Sequence, residues 1–146
     1  LVDYLRSLDA TSALLRLRSN HSQLCVNIAG ASTAAGAKAL QWGCGSAGHE
    51  QFAVNNIDGR LQFVARHSGL CLAQANTSSG GGAVVQQACD SGESTQWSLS
   101  GSVLRNRASG ACLDVPGNSS SAGAELITWA CHGGNNQNWT LQSADQ

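Results

Sequence analysis

Asp114, Trp129, His132, Asn136 and Gln137 crowd into the last third of the sequence, and together they supply the parts needed to grip a polyhydroxylated ring. An ionised carboxylate only accepts hydrogen bonds, an amide donates and accepts, and an imidazole does either according to its tautomer. A hexose presents an apolar face of C–H groups and a rim of hydroxyls that each donate and accept. An aromatic ring set beside a carboxylate and amides therefore suits both of its surfaces. Asp114 stands two positions after Cys112 and Trp129 two before Cys131, while His132, Asn136 and Gln137 follow in a loop tethered by that cysteine. The competing structural role for the group is that Asp114 merely orients Gln137 and the loop, and Gln137 is suited to both duties.

Other chemistry finds less support in the same residues. His21, His49, His67 and His132 invite acid–base work, and Asp114 with Glu125 invites the two carboxylates of a glycosidase. His21 and His67, however, occupy the same place four residues before a cysteine, where Ala108 stands in the third instance, and so read as turn residues. Glu125 starts an expected strand and belongs to no motif. The sequence holds no GxSxG, HExxH or P-loop, so no enzyme activity is expected. Eight Lys and Arg against nine Asp and Glu, with Lys38 the single lysine, leave no basic patch for phosphates. No apolar run approaches the roughly 18 residues that span a bilayer, and no basic amphipathic stretch suits its surface. Nucleic acid and membrane are thus not expected partners. No cofactor or metal is expected either, since no clustered acidic loop for calcium is seen, and binding should survive a chelator.

The elements that must position these residues emerge from an internal repeat. A total of 146 residues fits one ordinary domain. The six cysteines fall into three couples, Cys25 with Cys44, Cys71 with Cys89 and Cys112 with Cys131, separated by 19, 18 and 19 positions. Zinc ligands come in close pairs, whereas evenly spaced couples fit three disulfides, each closing a loop worth about 3 kcal/mol in the chain-entropy view. Equivalent spacing implies equivalent pairing within each repeat, and an oxidising, secreted or extracellular location follows. An aromatic closes each copy eight positions after its second cysteine, at Phe52, Trp97 and Trp139, and a serine precedes each first cysteine by three, at Ser22, Ser68 and Ser109. Repeats of about 40 residues over 14–56, 57–101 and 102–142 result. Each reads as short strands between Gly- and Ser-rich turns. In 125–131, Leu126, Thr128 and Ala130 alternate with Ile127 and Trp129. Three units are too few for a propeller, and a closed, pseudo-threefold all-β trefoil fits them.

On these residues the chain resembles a known family. Cys112-Leu113-Asp114-Val115, Trp129-Ala130-Cys131-His132 and Asn136-Gln137-Asn138-Trp139 look like the third repeat of a ricin-type β-trefoil lectin domain. This is the QxW family, which also supplies carbohydrate-binding modules to secreted bacterial glycoside hydrolases. The likeness covers roughly residues 14–142 and implies a twelve-stranded β-trefoil with one disulfide per repeat. It also implies that Phe52, Trp97 and Trp139 are structural, and that Asp114, Trp129, His132, Asn136 and Gln137 bind the sugar. The implied function is non-catalytic binding of a mono-, oligo- or polysaccharide containing galactose, arabinose or xylose, with an attached hydrolase as the expected context. The rival reading is a structural or protein-interacting trefoil with no sugar site, since fold alone does not give function.

The other repeats depart from this pattern. In the first, Asn27 replaces the acid, Trp42 keeps the aromatic, Gly45 takes the histidine place and His49-Glu50-Gln51-Phe52 replaces Asn-Gln-x-Trp. Asn27, Trp42 and His49 are expected to form at most a weak second site, with Glu50 folding onto Asn27. In the second repeat Ala73 has no polar group, Gln87 replaces the aromatic, and Asp90 and Ser94 stand for His and Asn, so that pocket is expected to be silent. Residues 1–13, with Leu1, Val2, Leu5 and Leu8 at near-helical spacing, read as an extension or linker ahead of a domain over 14–146. Four glycosylation sequons, at Asn20, Asn76, Asn118 and Asn138, are expected to be unused, because the Ala-, Gly- and Ser-rich style resembles modules of secreted bacterial enzymes.

Overall fold

The computed structural model describes residues 14–75, 81–90 and 92–144. The expected extension over 1–13 and the sequon at Asn76 lie outside them. Alternation sets the first strand, β1 (Leu14–Ser19), in which Leu15 and Leu17 are fully buried while Arg16 and Arg18 turn outward. Three more strands complete the first repeat: β2 (Cys25–Ile28), β3 (Ala39–Trp42) and β4 (Phe52–Ile57). The second contributes β5 (Arg60–Ala65), β6 (Cys71–Gln74), β7 (Val84–Gln87) and β8 (Trp97–Ser100). The third contributes β9 (Val103–Asn106), β10 (Cys112–Asp114), β11 (Ile127–Trp129) and β12 (Trp139–Ser143).

The outer strands of each repeat form a barrel. β1 pairs antiparallel with β12 and β4, β4 with β5, β5 with β8, and β8 with β9. The Trp139 N–H, donating to the Ser102 carbonyl at 2.8 Å, closes the ring. The β4–β5 hairpin turns on Asp58-Gly59, both with positive φ, as a two-residue loop matching the strand twist requires. The middle strands make three hairpins, β2–β3, β6–β7 and β10–β11. Single bridges join these hairpins to one another, Lys38 to Val85, Leu40 to Glu125 and Ala83 to Ile127. A barrel capped by a triangle of hairpins is a β-trefoil.

Packing against the barrel axis explains why one aromatic recurs per repeat. Phe52, Trp97 and Trp139 sit in the core with Leu15, Leu17, Leu61, Phe63 and Leu104. The indole N–H of Trp97 donates to the Leu72 carbonyl and that of Trp139 to the Leu113 carbonyl, in each case the residue after the first cysteine. Each buried ring thereby satisfies its polar edge while tying the barrel to its cap hairpin. The disulfides join Cys25 to Cys44, Cys71 to Cys89 and Cys112 to Cys131, one within each repeat.

The strand expected over 125–131 is shorter. Backbone bonds from the Gln41 N–H to the Ala124 carbonyl and from the Leu126 N–H to the Ala39 carbonyl commit 124–126 to β3 of the first repeat, so pairing with β10 begins only at Ile127. Glu125 is left at the surface, 3.4 Å from Lys38.

Candidate sugar-binding site

The register of β10 on β11 sets Asp114 opposite Ile127 and Cys112 opposite Trp129. Asp114, Ile127 and Trp129 therefore share a sheet face. They open into a cavity of about 430 Å³ whose walls are completed by Pro116, Gly117, Asn118, His132 and Asn136. Four of the five expected residues, Asp114, Trp129, His132 and Asn136, line that cavity. Gln137 does not: it is buried behind the carboxylate, 1% exposed.

Asp114 is 3% exposed, and a carboxylate at that depth needs partners. The Asn136 amide donates to Oδ1 at 3.2 Å and the Gln137 amide to Oδ2 at 2.7 Å. Each oxygen keeps a further lone pair for the cavity. Both amides are anchored in turn. Asn136 also donates to the Val115 carbonyl, and Gln137 donates to the Ala130 carbonyl while accepting from the His132 N–H. The carboxylate is thus aimed by two side chains that are themselves fixed to the backbone on both sides of it.

Trp129 is 53% exposed, which leaves a ring face open beside the polar floor. His132 Nδ1 accepts from the Gly134 N–H at 3.0 Å, so in the neutral ring the proton resides on Nε2. Nε2 lies 3.7 Å from Asp114 Oδ2, too far for a direct hydrogen bond. A Cβ at Gly134 would fall 2.5 Å from His132 Cε1 and 2.8 Å from both His132 Nδ1 and Asn136 Oδ1, so glycine is what lets the imidazole and the Asn136 amide lie against this turn. Gly134→Ala is expected to push the ring out of place and weaken binding about threefold to tenfold, while its thermal midpoint moves little. Titration calorimetry alongside a melting curve checks this, and unchanged affinity would show that the ring position does not matter.

The first repeat builds a smaller version. Asn27 and Leu40 pair across β2 and β3, as do Cys25 and Trp42. Asn27, Ala29, Gly30, Leu40, Trp42 and His49 line a cavity of about 180 Å³. The three residues expected there come together, and Asn27 Nδ2 is buried without a partner. Glu50 departs from the expected contact. Its carboxylate accepts from the Gly45 N–H rather than folding onto Asn27. A Cβ at Gly45 would come within 2.8 Å of Glu50 Oε2, so the buried acid occupies the space that a histidine side chain would need. In the second repeat Ala73 is fully buried, and the Gln62 amide from β5 donates to the Asp90 carbonyl and to Thr95 Oγ1. The place of the third-repeat carboxylate is thus taken by a methyl group with nothing to offer a hydroxyl.

Among the described residues no group of three or more His, Cys, Asp or Glu could hold a metal ion, and no helix is long and apolar enough to cross a membrane. Sequence reading missed the contribution of Pro116, Gly117 and Asn118 to the cavity wall. Pro116 and Gly117 carry backbone and apolar surface rather than a recognisable functional group, the Asn118 amide stands out in the sequence only as part of a sequon, and only the fold brings them opposite Trp129.

A barrel with a threefold hairpin cap and an aromatic-flanked polar cavity defines a lectin-type β-trefoil. The chain belongs to the family of the ricin-type beta-trefoil lectin domain, whose profile matches residues 13–139, a carbohydrate-binding and non-catalytic domain. Among solved structures, the designed threefold-symmetric protein ThreeFoil is 34% identical, with a TM-score of 0.84 over 89% of this chain and 98% of its own. An exo-beta-1,3-galactanase from Clostridium thermocellum superposes with a TM-score of 0.83 at 22% identity, over 90% of this chain but 30% of the galactanase. The C-half of an earthworm R-type lectin, in complex with GalNAc, superposes with a TM-score of 0.76 at 19% identity, over 90% of this chain and 98% of that one. No curated protein sequence matches the chain significantly.

Proposed function

We propose that the domain binds a galactose-, arabinose- or xylose-containing glycan through the third-repeat cavity, as the targeting module of a secreted glycoside hydrolase. The observation that carries this reading is the Asp114 carboxylate, buried to 3% exposure yet open to the cavity floor and pre-aimed by two amides beside an exposed indole. A sugar hydroxyl bridging His132 Nε2 and Asp114 Oδ2, which lie 3.7 Å apart, from the cavity side accepts from the imidazole and donates to the carboxylate. A neighbouring hydroxyl bonds to the free lone pair of Oδ1, and the apolar sugar face lies on Trp129. Because the donors and acceptors are already fixed, little ordering entropy opposes binding. Gln137 positions Asp114 from behind and makes no contact with the sugar.

The hydrolase context is supported by the superposition on the galactanase, of which a chain this size spans 30%. A galactose-type ligand is in keeping with the GalNAc bound to the earthworm lectin. The unpartnered Asn27 amide at the first-repeat cavity supports a weaker second site there. A glycan array with the purified domain tests the function: retention of galactose-, arabinose- or xylose-bearing glycans is expected. No retention of any glycan, together with capture of a defined protein partner, would favour a protein-interacting trefoil instead.

A further inference from the structure

The wall of the third-repeat cavity is a tight turn whose own backbone bonds, from the Asn118 N–H to the Val115 carbonyl and from the Ser119 N–H to the Pro116 carbonyl, are long at 3.3 Å each. Gly117 and Asn118 both have left-handed backbone, with φ of 65° and 53°, a conformation disfavoured for a residue that carries a Cβ. The side chains that bond its carbonyls belong to the first repeat. His21 Nε2 donates to the Asn118 carbonyl at 2.6 Å. The fully buried Gln41 donates from Nε2 to the Ser119 and Ser121 carbonyls at 3.1 and 2.9 Å, while its Oε1 accepts from Ser22 Oγ. Three carbonyls within four residues of the turn are therefore gripped by two side chains 78 or more positions away in the chain.

We propose that His21 and Gln41 are positioning residues for the third-repeat site, so that the site is built by two repeats rather than one. The proposal rests on the sugar-binding reading of that cavity. The same device recurs one repeat along. His67 Nε2 meets the Ser32 carbonyl at 2.6 Å, and Gln86 Nε2 donates to the Ser32 and Ala34 carbonyls, with its Oε1 accepting from Ser68 Oγ. The second repeat thus grips the turn that borders the first-repeat cavity at Ala29 and Gly30. The third repeat breaks the series. Ala108 stands in the histidine place and has no side-chain donor, and Thr128 stands in the glutamine place, where its hydroxyl donates to Gln74 Oε1 and accepts from the Gly82 N–H. A bond to a carbonyl constrains the turn without touching the ligand, so its loss should act on affinity through the shape of the wall.

The full chain tests this with His21→Ala and its matched control His67→Ala. Amide hydrogen exchange followed by NMR reads the wall directly, and calorimetry with galactose, arabinose and xylose reads the site. His21→Ala is expected to speed exchange at Asn118 and Ser119 and to weaken third-site affinity, each about threefold to tenfold, the value of one hydrogen bond. His21→Gln keeps a side-chain N–H at a similar reach and should restore both. His67→Ala removes the corresponding bond from the neighbouring turn and should leave exchange at 117–121 and third-site affinity as in the wild type. Wild-type exchange and affinity in His21→Ala, or an equal loss in His67→Ala, would overturn the proposal. If the wild type retains no sugar, the sugar reading fails separately, and exchange at Asn118 alone upholds or overturns the grip.

Discussion

Asp114→Ala is expected to lower the affinity of the domain for its sugar by about tenfold to more than a hundredfold, as a hydrogen bond to a charged group contributes about 1.5–3 kcal/mol. The loss comes from two sources. The ligand hydroxyls lose a charge-assisted acceptor, and the Asn136 and Gln137 amides lose the oxygens they were aimed at, 3.2 and 2.7 Å away, so their hold on the cavity floor slackens. Asp114→Asn keeps the size but removes the charge and one of the two anchors, since its NH2 must face either the Asn136 or the Gln137 donor, and it gives the third repeat the residue that the first carries at Asn27. Its affinity should fall towards that of the first-repeat site. Asn27→Ala itself should change the total binding little. Calorimetry with a short oligosaccharide should report about one strong site per chain. Unchanged affinity in Asp114→Ala, with abolition in Asn27→Ala or Trp42→Ala, would move the working site to the first repeat.

The architecture was open to sequence reading because its signals are local and repeated three times. A cysteine couple 18 or 19 positions apart with an aromatic eight positions beyond it fixes a unit without any knowledge of what that unit packs against. Asp114, Trp129, His132 and Asn136 could likewise be placed near one another, because β10 and β11 are joined through Cys112–Cys131, and a two-residue offset from each cysteine puts Asp114 and Trp129 on one sheet face.

What escaped depends on contacts between repeats or on burial of polar groups. Nothing in the string Asn136-Gln137-Asn138-Trp139 distinguishes an amide that faces a ligand from one that lies behind the carboxylate, and Gln137 was open to both duties. The strand before Trp129 was overlong because 124–126 pair with β3, more than 80 positions earlier. His21 and His67 matched as repeat positions and read as turn residues, yet their partners Asn118 and Ser32 lie on neighbouring repeats, where no local pattern points. Glu50 was assigned to Asn27 by sequence reading, but the nearer backbone N–H of Gly45 is the donor it takes, because a buried carboxylate is best satisfied by a group already fixed in place.

Two tryptophans ten positions apart should behave in opposite ways, which tests the division between frame and site. Trp139 is 2% exposed, packs among the barrel leucines and donates to the Leu113 carbonyl at 3.0 Å. Trp139→Ala should cost about 3–5 kcal/mol of stability, since it leaves a ring-sized cavity in the core and an unpaired buried carbonyl. In a domain of this size that lowers the melting temperature by roughly 10 °C. Trp139→Phe should cost less, about 1–3 kcal/mol for the Leu113 carbonyl left unpaired, because it keeps a ring in the core, as Phe52 already does in the first repeat with a ring that has no donor. Trp129, by contrast, is 53% exposed, so Trp129→Ala should move stability by no more than about 0.5 kcal/mol. Its sugar affinity should nonetheless fall about tenfold, because the C–H face of the ligand loses the surface it stacks on. Thermal melts and calorimetry on the three variants separate the roles. A Trp129→Ala domain that melts early and binds normally, or a Trp139→Ala domain with wild-type stability, would mean that the exposed ring is scaffold and the buried one is not. Since Leu113 is the neighbour of Asp114 in β10, any sugar binding lost in Trp139→Ala should return in Trp139→Phe together with the stability.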